Sequence, residues 1–146
     1  MVAQFKINPR LTAKVAEVYN WLDSQIQKKP DLARKCSACG KCCDFAKFDH
    51  HLFVTTAELM YLTAKLGAEN IKPMLTAICP YNLNGKCTIY KYRFAGCRIF
   101  HCISNADFQS KLSESALKKL KSISTHFQIP YRYTRLPLAL GSFNND

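Results

Sequence analysis

The chain has 146 residues, 48% hydrophobic and 12% aromatic, and a formal charge of +11. That size and composition predict one globular domain and exclude a disordered chain. No stretch approaches the roughly 20 apolar residues of a membrane-spanning helix, so no membrane span is expected. The charge counts every cysteine as neutral, whereas metal-bound thiols are deprotonated. A tetrathiolate zinc or cubane iron–sulfur site carries about −2 overall, and two of them would leave roughly +7. What remains still favours an acidic partner, nucleic acid or an anionic surface.

In chain order, Asn8-Pro9 is a helix start: a side-chain cap, then a proline whose missing N–H costs nothing there. Leu11, Val15, Val18, Leu22 and Ile26 recur at helical spacing, and Lys28-Lys29-Pro30 supplies the stop. The expectation is an N-terminal helix within 8–29. Residues 31–48 are predicted to be irregular and wrapped around metal, and His50 to Val54 reads as a short extended piece.

Thr55-Thr56-Ala57-Glu58 is a capping box, and the helix it opens carries Leu59, Leu62 and Leu66. That helix should end at Gly67 in the left-handed C-terminal conformation. A further short helix broken by Pro73 is expected over 68–76. From Ile78 to Tyr90 the chain reads as a hairpin, because Asn84-Gly85 lies between apolar flanks. The turn would fold Cys87 back toward Cys79. Ser113 is predicted to cap a C-terminal helix within 111–129, closed by Pro130. The tail, with Pro130 at its start and Pro137 within it, is expected to pack loosely in extended form.

The eight cysteines dominate the chemistry. Cys36, Cys39, Cys42 and Cys43 fall in one loop, and Cys79, Cys87, Cys97 and Cys102 follow in a later stretch. With no basic start followed by an apolar run at the amino terminus, the expectation is a cytoplasmic chain. In a reducing compartment such clusters hold metal more often than disulfides. Cys-x2-Cys-x2-Cys aims successive sulfurs at one centre, as in bacterial ferredoxins, where a Cys-Pro follows. Here the Cys-Pro is the distant Cys79-Pro80. One partition places Cys36, Cys39, Cys42 and Cys79 on one site, with Cys43, Cys87, Cys97 and Cys102 on a second. A single site with spare thiols is the alternative.

The ordered combination of Cys36-x2-Cys39-x2-Cys42-Cys43, then Thr55-x2-Glu58, then Cys79-Pro80-Tyr81-x5-Cys87-x-Ile89-Tyr90-x2-Arg93-x3-Cys97-Arg98-x-Phe100 resembles the YkgJ-like cysteine-cluster family. That family is described as a zinc- or iron-chelating domain, and some members carry the label Fe–S oxidoreductase. A related cluster occurs in flagellin lysine methylases, which makes methyl transfer a remote alternative. The resemblance covers about residues 36–102. It departs at Arg93-Phe94, where the family has Arg-Pro; the change removes no ligand.

Thiolates suit both zinc and iron–sulfur clusters. The ferredoxin-spaced triple and the all-thiol set favour iron–sulfur, a 4Fe–4S cluster first, with zinc second. Histidines are softer candidates. His101, beside Cys102, is placed to replace a thiolate or to hydrogen-bond from outside the ligand set, and His50, His51 and His126 rank below it. Arg93 and Arg98 flank Cys97 and are the cofactor-binding candidates, donating to sulfur. Pairing with Asp44 or Asp107 for structural reasons is the favoured account of them.

The fold expectation is therefore a mainly helical α+β single domain over 1–146. Its metal-binding core spans 36–102, with one hairpin and irregular cysteine loops, and the terminal helices pack on that core. Three functions compete. The first is an iron–sulfur protein with an electron-transfer or redox-accessory role and a redox partner protein. The second is a zinc-stapled module for nucleic acid or an acidic partner, using Lys118, Lys119, Lys121, Arg132 and Arg135 beside Tyr131 and Tyr133. The third is a metal chaperone, store or sensor. No hydrolase motif, phosphate loop or dinucleotide glycine pattern is present.

Overall fold

The structure is a computed structural model and describes residues 8–29, 52–84, 86–100 and 105–141. Cys36, Cys39, Cys42, Cys43, Cys102, His50, His51, His101, Asp44 and Gly85 lie outside the described residues.

Helix α1 (Pro9–Gln27) starts as expected. Asn8 accepts from the amides of Arg10 and Leu11, and Pro9 opens the first turn. Its apolar stripe of Leu11, Val15, Val18, Leu22 and Ile26 is buried, with Tyr19 beside it. Strand β1 (Phe53–Thr55) leads directly into α2 (Thr56–Leu66). Every residue of α2 from Thr56 to Thr63 is buried, which marks it as the central helix. It ends at Gly67, but with φ +87° and ψ 142°, outside the expected left-handed helical region. The positive φ still calls for glycine. The helix expected over 68–76 shrinks to a 3₁₀ turn, Ala68–Asn70. Pro73 removes a helical amide too close to the turn for an α-helix to grow.

The expected hairpin is present as β2 (Asn82–Leu83) and β3 (Lys86–Cys87), antiparallel, with Asn82 opposite Cys87. Asn84 adopts φ +54°, as its Asn-Gly context predicts. A 3₁₀ turn (Tyr90–Tyr92) follows, and then α3 (Ala95–Ile99), which carries Cys97.

Helix α4 (Ala106–His126) corrects the C-terminal expectation. It begins seven residues before Ser113, and its cap is Asn105, whose side chain accepts from Phe108 N–H. Its early exposed turns carry few apolar residues, so helical periodicity becomes visible only from Leu112. The tail differs more. Strand β4 (Tyr133–Arg135) pairs antiparallel with β1, matching Phe53 to Arg135 and Thr55 to Tyr133, and α5 (Leu136–Gly141) follows. Leu136 and Leu140 are completely buried, so the tail is part of the core.

The described residues form a mainly helical α+β fold with two small antiparallel ladders. One apolar cluster joins α1, α2, α3 and α4 through Leu22, Met60, Ile99 and Leu120. A second lies among β1, α2, the hairpin and α5 and includes Val54, Leu62, Ile89, Phe94 and Leu136. None of the described helices is long and apolar enough to cross a membrane.

Candidate metal centre

The hairpin positions two thiols. The Cys79 carbonyl accepts the Asn82 N–H at 3.0 Å, and Asn82 is paired with Cys87, so the turn returns Cys87 toward Cys79. Thr88 clamps the base: its N–H and hydroxyl both donate to the Tyr81 carbonyl, at 2.8 and 2.7 Å. On the other side the Tyr81 hydroxyl accepts from Lys72 N–H at 2.9 Å and donates to the Asn70 carbonyl at 3.3 Å. Burial raises the Tyr81 phenol pKa above its usual value, the Lys72 N–H counters this, and the nearby Cys79 adds to the rise.

Cys79 is buried, while Cys87 and Cys97 are half-buried. Cys79 belongs to the second apolar cluster, and the other two sulfur-bearing side chains pack against it. Three thiols from the hairpin and α3 therefore border one apolar region. Soft sulfur donors in an apolar shell fit a thiolate-bound metal rather than a hard cation, and such a shell limits solvent access to the site. Among the described residues no three His, Cys, Asp or Glu side chains are grouped so as to hold a metal ion. Each quartet of the expected partition also draws on cysteines outside the described residues.

Arg98 is anchored by three oxygen acceptors. Its Nη1 donates to Asp23 Oδ2 at 2.7 Å, its Nε to the Arg93 carbonyl at 2.9 Å, and its Nη2 to the Lys91 carbonyl at 2.9 Å. The guanidinium lies over the Tyr19 ring, 4.3 Å from its centroid. The favoured structural account thus acquires a different partner: Asp23 on α1 rather than Asp107, which lies in the first turn of α4. Arg93 stacks on Tyr90 at 3.9 Å, and its Nε donates to the Tyr90 carbonyl at 3.0 Å. His126 is exposed at the last turn of α4, with its ring edge-on to Phe127.

Sequence reasoning missed the wider role of Glu58. Its carboxylate closes the expected capping box by accepting from Thr55 N–H at 3.0 Å, and it also takes the Thr55 hydroxyl at 3.0 Å. It accepts two further bonds, from the Tyr19 hydroxyl at 3.2 Å and from Ala95 N–H, the first amide of α3. Burial pushes its pKa up, and the amides of Ala95 and Thr55 pull it back in part. Burial and the Glu58 carboxyl together raise the Tyr19 phenol well above its usual range. One buried carboxyl thereby fixes α1, α2 and α3, and with them the backbone that carries Cys97. The capping box was visible in sequence; its distant partners carried no local signal.

Compared with protein-family models, curated proteins and solved structures, the chain matches none of them.

Proposed function

We propose that this protein binds metal through cysteine thiolates, as an iron–sulfur protein with an electron-transfer or redox-accessory role. The observation that carries the reading is that Cys79, Cys87 and Cys97 each border one apolar cluster in a chain with eight cysteines. The resemblance of residues 36–102 to the YkgJ-like family points the same way. Cys36, Cys39, Cys42, Cys43 and Cys102 would complete the ligand set. When bound, an iron–sulfur cluster supplies reversible one-electron transfer. The chain's part is to present thiolates from the hairpin and α3 and to exclude water with Ile71, Ile89 and Phe94, which are buried in the same cluster. Iron, zinc and acid-labile sulfide per chain, measured after oxygen-free purification, test this. Iron and sulfide in comparable amounts are expected; protein with neither iron nor sulfide refutes it.

A second reading is a zinc-stapled module for nucleic acid, which shares the ligands and differs in metal and partner. The exposed Lys118, Lys119, Lys121, Arg132 and Arg135, near Tyr131 and Tyr133, favour it. Colourless zinc protein with steeply salt-dependent oligonucleotide binding would establish it.

A further inference from the structure

We propose that the cleft between the β1–β4 ladder and helices α3 and α4 stacks one base of a single-stranded nucleic acid against Phe53 and Tyr133. The inference deepens the second reading and rests on its nucleic-acid partner. It uses no cysteine and is independent of which metal the thiols hold.

The ladder sets the aromatic wall. Phe53 lies opposite Arg135 and Tyr133 opposite Thr55, so Phe53 and Tyr133 are diagonal neighbours across the two strands. Their rings stack, with centroids 5.1 Å apart and planes 27° from parallel. The pair is not part of the core: Phe53 is 36% and Tyr133 44% exposed. Both also line a cleft of about 230 Å³, whose other walls include Leu52, Gly96, Phe100 and Leu117. Glu58 reaches this cleft, but its oxygens already accept four internal hydrogen bonds. With Ser113 as a further polar residue, the lining is mainly hydrocarbon and ring surface, which suits a flat, weakly polar group.

Size and charge narrow the ligand. A complete small-molecule pocket holds roughly 300–1,000 Å³, so this cleft takes one ring and the rest of the ligand lies outside it. The surface there is basic. Lys121 stands one turn beyond Leu117 on the same stripe of α4, its ammonium 5.9 Å from the centre of the Tyr131 ring. Lys118 follows Leu117 and Arg132 lies between Tyr131 and Tyr133; all three cations are exposed, and Glu114 is the exposed carboxylate on this part of α4. A slot for one ring, bordered by cations, matches a nucleobase joined to phosphates. The strand has to be unpaired, because a base inside a duplex is already stacked on both faces.

The full chain, as isolated, is titrated into a fluorescein-labelled single strand of about 10 nucleotides, as DNA and as RNA, and into the same DNA as a duplex. Affinity is read by anisotropy at constant salt, and contacts by backbone amide shifts in NMR. Single strands should bind more tightly than the duplex, with saturable shifts at Phe53, Gly96, Leu117 and Tyr133. The tighter single strand identifies the sugar the site accepts. Phe53→Leu and Tyr133→Leu keep apolar bulk but lose the ring face, and each should weaken binding about tenfold. Tyr133→Phe should retain it. Ser113→Glu, which adds a carboxylate at the cleft, should also weaken binding and serves if a leucine variant does not fold. Single-strand binding that survives these changes, or equal affinity for the duplex, overturns the stacking site and leaves the nucleic-acid reading standing. Absence of binding to either single strand at low salt overturns both.

Discussion

Glu58 Oε1 accepts the backbone N–H of Ala95 at 2.6 Å, across 37 residues of chain. The same carboxyl closes the N-terminus of its own helix, so a single side chain caps the starts of α2 and α3 while holding Tyr19 of α1. Glu58→Ala would strand the Ala95 and Thr55 amides and two hydroxyls in a dry site. Each unmet buried group costs about 1–3 kcal/mol, so a loss above about 3 kcal/mol in urea unfolding is expected. Glu58→Gln keeps a carbonyl acceptor and should lose less. Equal stability of all three proteins would remove Glu58 from this role.

The pH dependence follows from the raised pKa of Glu58. A carboxyl that holds its proton more tightly folded than unfolded contributes stability below its unfolded pKa, ordinarily 4.5. That contribution fades as pH climbs through the higher folded value, because ionisation then favours the unfolded chain. Relative to Glu58→Gln, which does not titrate, the wild type should lose melting temperature as pH rises above about 4.5. A wild type that gains on the variant over that range would reverse the sign.

Arg98 is expected to resist conservative replacement. Its side chain is 6% exposed and reaches three acceptors in different directions. A lysine ammonium cannot reproduce that fork, so Arg98→Lys should cost nearly as much as Arg98→Ala, about 3 kcal/mol. Asp23, 39% exposed, is partly solvated, and Asp23→Asn should cost less. Denaturant titration of the three variants checks the order.

Cys79→Ser should lower metal content and stability together. To separate ligation from packing, melting is compared in metal-loaded and metal-depleted protein. The variant should lower the melting temperature mainly in the loaded form, because metal binding couples to folding. Full metal content in Cys79→Ser would take Cys79 out of the ligand set.

The C-terminal segment offers a paired control. Leu136 is fully buried and Leu138 is 69% exposed. Leu136→Ala should cost about 2–5 kcal/mol through the cavity it leaves, whereas Leu138→Ala should stay within about 0.5 kcal/mol. Similar losses at the two positions would mean that the tail does not pack as described.

Local chemistry explains what was legible in advance. The Asn8-Pro9 start, the Thr55–Glu58 box and the Asn84-Gly85 turn each work within a few residues, and each was readable. At five residues, α3 is too short to show a helical period, and its first amide is satisfied from α2. The tail misled because Pro137 reads as a breaker, yet it sits in the first turn of α5, where a missing N–H is harmless. The Arg98–Asp23 pair spans 75 residues and leaves no mark on either neighbourhood. At the candidate metal centre, the fold-back of Cys87 was readable from its turn, while the shared apolar border of the three thiols depends on tertiary packing.

Tyr92 packs against both apolar clusters, and its ring meets Tyr61 with centroids 6.3 Å apart. The two halves of the interior are therefore mechanically continuous through one phenol. Any tightening of the second cluster bears on the same ring that abuts the helical side, and close-packed interiors pass such pressure onward rather than absorb it. A change of packing in one cluster can register in the other without a hinge or a moving loop.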